Sequence, residues 1–334
     1  MPSSSKELVR ALSASKPVSR PPFIPCMAAA AANYMQVPVR QMYSDPTILA
    51  NSLQSCQRLF KYDGVVTLFD TTLEAEACGC QLSWQEGLPP EVISPLLTSA
   101  DDLGDLSAAG IENKGRIPVV LEAAKRLIQT VGREVAMLGV ITGPITLGRH
   151  LIGDALIPAA ETNTRAFQKL IDLSGEIALT MARAYGELKL DAIILADRNL
   201  ASLDTDHYSK IQPMLKTLRN VLNFYDAPLI ISTDKVHADR LQEFFQLEAD
   251  GFSPGNHISD ITKLELPSKK LVGGCIPTSS LLGATVDIEK ATLELLETGG
   301  GSSLFITSEW EVPPATPVAN LHRVMQVLTS APKR

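Results

Sequence analysis

Short apolar runs recur along the chain, separated by segments in which apolar residues return every three or four positions. The runs are Phe23–Met27, Val65–Phe69, Ala136–Thr142, Asp191–Leu195, Pro228–Ser232, Ala249–Ser253, Lys270–Ile276 and Leu304–Thr307. Each is rich in Val, Ile or Leu without strict alternation, as expected of strands buried on both faces of a sheet. Eight such strands with helices between them predict an α/β fold, a closed (β/α)8 TIM barrel rather than an open doubly wound sheet.

The segments between the runs carry helix signals. Ser4 and Glu7 are spaced as a capping box ahead of Leu8, Val9 and Leu12. Asp45 is placed to cap a helix with Pro46 in its first turn, along which Ile48, Leu49, Leu53, Cys56, Leu59 and Phe60 trace one face. Pro118 opens a helix that Gly132 closes, Ala160–Leu190 is long enough for a major outer helix, and Asp287–Thr298 precedes Gly299–Gly301. Residues 81–115, with adjacent prolines, a Trp and several acids, read as an excursion between the second and third strands. No internal repeat interrupts the pattern, so residues 1–334 are expected to form a single barrel domain.

Composition narrows the function classes. A length of 334 suits one elaborated barrel, and 45% hydrophobic residues supply a large core. The net charge of −7, with no Lys/Arg cluster, argues against a nucleic-acid surface. The first 20 residues are polar and lack the apolar stretch of a signal peptide, and no run approaches the roughly 18 apolar residues of a membrane span. Five scattered cysteines, Cys26, Cys56, Cys78, Cys80 and Cys275, suggest a reducing, cytoplasmic setting rather than a disulfide framework. Neither phosphate-cradling glycine motif occurs, and Thr142–Thr146 reads as a strand-to-helix corner.

The segment from Tyr62 to Cys80 contains Tyr62-Asp63-Gly64, Asp70 and Glu74-Ala75-Glu76-Ala77-Cys78-Gly79-Cys80 in that order. It resembles the second-strand region of the uroporphyrinogen decarboxylase superfamily, within it the corrinoid-dependent methyltransferase branch. Gly143-Pro144, Asp191–Ile194 with Asp197, and Val312–Pro317 extend the resemblance over roughly Pro22 to Val327. Decarboxylases of the superfamily carry an Arg-rich loop after the first strand that grips substrate carboxylates. Here Cys26–Tyr34 contains no Arg, so uroporphyrinogen loses its clamp. Coenzyme M methyltransferases of the branch bind zinc through a His-x-Cys after the fifth strand and a late Cys. Those positions here read Ser232-Thr233-Asp234 and fall near Trp310. Zinc and a thiol acceptor are therefore not expected.

The resemblance implies the other half-reaction: a methyl group moves from a small methylated donor, such as a methoxylated aromatic, to a corrinoid (cobalamin) carried by a partner protein. Alternatives are a decarboxylase of a smaller substrate and a non-catalytic binding barrel. A homodimer is left open. Asp70 follows the second strand, where barrel enzymes place chemistry, though capping is its competing role. Asp197 after the fourth strand competes with a simple ion pair to Arg198. Asp234 takes a position resembling the family's ligand. With His237 it forms D-x-x-H, which alone completes no zinc site. His207 is a candidate proton carrier on a loop. These four are the catalytic candidates. Met27, Tyr34, Ser232, Asn256, His257, Glu309 and Trp310 are the substrate-binding candidates. Glu74 and Glu76, two apart, are expected to face different directions.

Overall fold

A run such as Ala136–Thr142 has no polar face to turn to water and must be covered on both sides. It is so covered in the computed structural model, which describes residues 4–104, 106–162, 164–256, 258–261, 264, 270–298 and 303–330. The strands among these residues are β1 (Gly64–Val66), β2 (Leu82–Ser83), β3 (Glu91–Val92), β4 (Ala136–Thr142), β5 (Ala192–Ala196), β6 (Leu229–Thr233), β7 (Gly251–Pro254), β8 (Leu271–Ile276) and β9 (Leu304–Ser308). β2 and β3 pair antiparallel with each other. The other seven form one parallel sheet in the order β1-β4-β5-β6-β7-β8-β9.

The expected first strand, Phe23–Met27, is the correction. Only Phe23 bridges to Ile306, with Ile306 N–H donating to Pro22 O and Ile24 N–H to Ile306 O, both at 2.8 Å. On its other side Asp63 N–H donates to Phe23 O at 2.8 Å. Pro21, Pro22 and Pro25 have no N–H, so the segment cannot sustain a ladder. The sheet curls until its two edges meet at this segment, without an eighth strand to close it.

Side chains on the concave face, among them Ile24, Val66, Leu138, Val140, Ile194, Ile230, Leu271 and Phe305, form an inner core. The convex face packs under the helices. The helix Ser5–Ser13 starts where expected, Ser4 Oγ accepting from Glu7 N–H, and its Val9 and Leu12 join the inner core. Asp45 accepts from Thr47 and Ile48 N–H ahead of the helix Pro46–Phe60. The expected long helix is described over Leu156–Thr162 and Thr164–Glu187, with residue 163 outside the described residues. The helices Ile117–Thr130 and Thr285–Thr298 also form, while Gly299–Gly301 lies outside the described residues. Residues 81–115 hold the β2–β3 pair and the 3-10 turns Ala100–Asp102 and Ile111–Asn113. Among the described residues no helix is long and apolar enough to cross a membrane.

Candidate active site

Parallel strands deliver every following loop to one rim, so residues far apart in sequence can meet there. Asp70 arrives from β1 and is buried. Its Oδ1 accepts from Thr72 N–H and Oγ1–H at 2.8 and 2.7 Å, and its Oδ2 takes Arg116 Nη1 at 2.6 Å. Arg116, immediately ahead of the helix Ile117–Thr130, also pairs through Nε with Glu76 at 2.8 Å. Its guanidinium lies 5.0 Å from the Trp84 ring centroid and 5.9 Å from that of Tyr43. Trp84 belongs to the segment after β2, so the excursion roofs the Asp70 side. Glu74 turns the other way, accepting from Thr142 N–H and hydroxyl at the end of β4, and burial raises its pKa.

The opposite wall comes from β5, β6 and β9. Trp310 meets Phe69 edge-on at 4.7 Å, and Arg198 lies 4.9 Å over the indole. Arg198 Nε is 3.3 Å from Asp234, and both side chains are half-exposed. Between the walls stands Glu311, close enough to Asp70, Arg198, Tyr43 and Cys26 to feel or impose their charge. Burial is the main cause of its raised pKa of about 7, with Asp70 adding to it. Deeper lie Cys26 and Cys275, whose thiols burial pushes up to about 12. Cys275 Sγ donates to Pro254 O at 3.2 Å and lies 3.5 Å from Ser253 Oγ.

The chain matches the family described as uroporphyrinogen decarboxylase (URO-D) over residues 4–330. It belongs to the uroporphyrinogen decarboxylase family. Methylcobamide:CoM methyltransferase MtbA of Methanosarcina acetivorans is 23% identical over 330 residues, covering 96% of both chains. Methylcobamide:CoM methyltransferase MtaA of Methanosarcina barkeri is 26% identical over 294 residues, covering 84% of both. A solved methyltransferase from Methanosarcina mazei superposes with a TM-score of 0.87 at 20% identity, covering 98% of both, which shows the shared fold. These two relatives are named as methylcobamide methyltransferases, while a uroporphyrinogen decarboxylase of Chelativorans sp. is 22% identical over 297 residues.

Within this family frame the remaining candidates have varied places. Asp197 is wholly buried. It accepts from Ile145 N–H at 3.0 Å and from Thr146 N–H and hydroxyl at 2.8 Å, holding the start of the helix Pro144–Ile152. Gly143 is required beside it, since a Cβ there would sit 2.2 Å from that of Asp197. Ser232 is buried at the end of β6, its carbonyl accepting from Asp197 N–H. Asn256 grips Val236 N–H and O, both at 2.8 Å, and so fixes the loop after Asp234. Glu309 accepts from Thr278 N–H at 2.8 Å. Tyr34 donates to Thr316 O at 2.7 Å and Met27 is buried. His207 sits among outer helices, its Nε2 3.0 Å from Ala160 O and its ring edge-on to Phe167. His257 lies outside the described residues.

At the positions that the resemblance implies for zinc stand a hydroxyl (Ser232) and a carboxylate paired to a guanidinium (Asp234), with an indole (Trp310) near the last. That set does not fit a zinc ion, which takes thiolates, imidazoles and unpaired carboxylates. Arg116, Tyr43 and Glu311 escaped the sequence reading. Arg116 is 46 residues from Asp70 with no pattern linking them. Glu311 had a legible signal, an acid two residues beyond Glu309 on the same strand exit.

Proposed function

We propose that the protein demethylates a small methoxylated aromatic, passing the methyl group to the reduced corrinoid of a partner protein. The observation that carries the proposal is the joining of two facts at one rim. The relative matched over 96% of the chain is named for methylcobamide, yet the positions that the resemblance implies for a thiol-activating zinc read Ser232-Thr233-Asp234 and fall near Trp310. The methyl acceptor on this reading is the partner's corrinoid, a substrate that docks rather than a resident group. A single domain with a TIM-barrel-like architecture, its curled seven-stranded sheet left unclosed at the Phe23 segment, is our reading of the chain.

The residues divide the work as follows. Phe69 and Trp310 form an aromatic wall for a planar donor, and a T-shaped pair of this kind tolerates a third ring. Met27 and Tyr34 back the apolar side. Asp70, held by Arg116 and Thr72, is a fixed acceptor for orienting the donor, so no reorganisation is needed as the reaction proceeds. Asp197 positions the rim through the Pro144–Ile152 helix, while Asp234, Asn256, Ser232 and Glu309 shape the mouth. His207 is kept as the candidate proton carrier and His257 as a candidate for holding substrate.

Purified protein incubated with chemically reduced cobalamin and a panel of methoxylated aromatics should release the phenol as methyl–cobalt absorbance grows. Absence of both with every donor sinks the proposal, and carbon dioxide release from aromatic acids in parallel assays would replace it with decarboxylation.

A further inference from the structure

Glu311 leaves β9 directly after Trp310, and one of its carboxyl oxygens, Oε2, is shut away from solvent with no hydrogen-bond partner. The carboxyl accepts from Ala29 N–H. A charged carboxylate in that position forfeits the hydration of one oxygen without a replacement. The Tyr43 hydroxyl is a second buried, unpartnered polar atom, and it feels the charges of both Glu311 and Asp70. Two orphaned polar atoms facing a common region, walled by Phe69 and Trp310, point to a polar atom supplied by a ligand.

The groups around Glu311 come from several elements. They are Cys26 and Ala29 N–H from the segment after Phe23, Tyr43 from the helix Val39–Ser44, Asp70 after β1 and Arg198 after β5. Burial and Asp70 favour the protonated form. Arg198 and Ala29 N–H favour the anion, but Arg198 is half-exposed and shared with Asp234 and Trp310. The balance places its pKa at about 7, near a cell's pH, where an acid exchanges its proton most usefully.

We infer that Glu311 is the general acid of the demethylation, handing its carboxyl proton to the ether oxygen as the methyl departs. This rests on the methyl-transfer reading above. The carbon–oxygen bond breaks with its electron pair remaining on oxygen. The methyl carbon takes its new bond from the electron pair of the partner's reduced corrinoid. The Glu311 proton turns the leaving oxygen into a neutral hydroxyl, and the resulting carboxylate is met by Arg198 and Ala29 N–H. Solvent, which reaches the partly exposed residue, restores the proton.

The test measures methyl transfer to reduced cobalamin from aryl methyl ethers whose leaving phenols span pKa values of about 10 down to about 7. Glu311→Gln keeps size and polarity but cannot donate an acidic proton. It should be about 100-fold slower with the least acidic phenol, and the deficit should shrink as the phenol becomes more acidic. Glu311→Asp, which keeps an acid, should recover part of the rate. In the wild type, a solvent deuterium isotope effect should grow with the leaving phenol's pKa, a readout that needs no variant to fold. An unchanged Glu311→Gln, a deficit equal for every ether, or a wild-type rate indifferent to deuterium overturns the assignment and leaves methyl transfer standing. No transfer by the wild type with any ether overturns both.

Discussion

Asp70 loses nearly all contact with water and keeps its place through Thr72 and Arg116, whose guanidinium is itself buried and shared with Glu76. Neither partner of such a pair is stable there alone. Removing the cation leaves two carboxylates facing each other across an apolar gap beneath Trp84. Arg116→Ala should therefore cost about 3–5 kcal/mol in urea unfolding. Arg116→Lys should recover only part, since an ammonium cannot reach Asp70, Glu76 and Thr72 in one plane. A loss below about 1 kcal/mol would show that solvent enters the site and screens the pair. Asp70 was legible because an acid directly after a buried run has a recognisable address. Its partner was not, because no local spacing ties residue 70 to residue 116.

At the scale of elements, local rules read well and long-range ones do not. The caps at Ser4 and Asp45 depend on residues three positions away and stand as expected. The Phe23 run is apolar enough for a strand, but Pro21, Pro22 and Pro25 lack N–H donors and it makes one isolated bridge. Asp197 shows how a strand-end acid serves an element: it fastens β5 to the first turn of the Pro144–Ile152 helix. Burial is the largest influence on its carboxyl and raises it from 3.8 to about 6, against the donors Ile145 and Thr146. Ionisation then costs the folded chain more than the unfolded one. Its contribution is full below about pH 4 and declines as pH rises to about 6, by about 3 kcal/mol. Asp197→Asn carries no such charge. Wild-type stability measured relative to this variant should fall by that amount between pH 4 and pH 7, with the other carboxylates cancelling in the comparison. A difference that instead grows with pH would mean that the donors outweigh burial.

The whole molecule separates a floor from a mouth. The helix Ser5–Ser13 lies across the ends where strands begin. Ser5 donates to Asp63 ahead of β1, Lys6 to Gly132 ahead of β4, and Lys6 and Arg10 both pair with Asp191 ahead of β5. Leu12, 2% exposed, enters the inner core from this side, while Glu311, Trp310 and Asp70 stand at the other end of the same strands. The capping-box spacing made the helix legible, but its role as a plug was not. That role exists only once the sheet has curled around a space needing cover. Leu12→Ala removes buried methyl groups where surrounding strands cannot collapse inward, so it should cost about 2–5 kcal/mol. Leu12 shares one inner core with Phe69 but lies at the end where the strands begin, so the rate of methyl transfer per folded molecule should stay at the wild-type value. Denaturant unfolding and active-site titration on the same preparation separate the two quantities. Should the rate per folded molecule fall along with stability, inner-core packing must be transmitting strain from Leu12 up the strands to Phe69 and Glu311, and the mouth would owe its geometry to the floor.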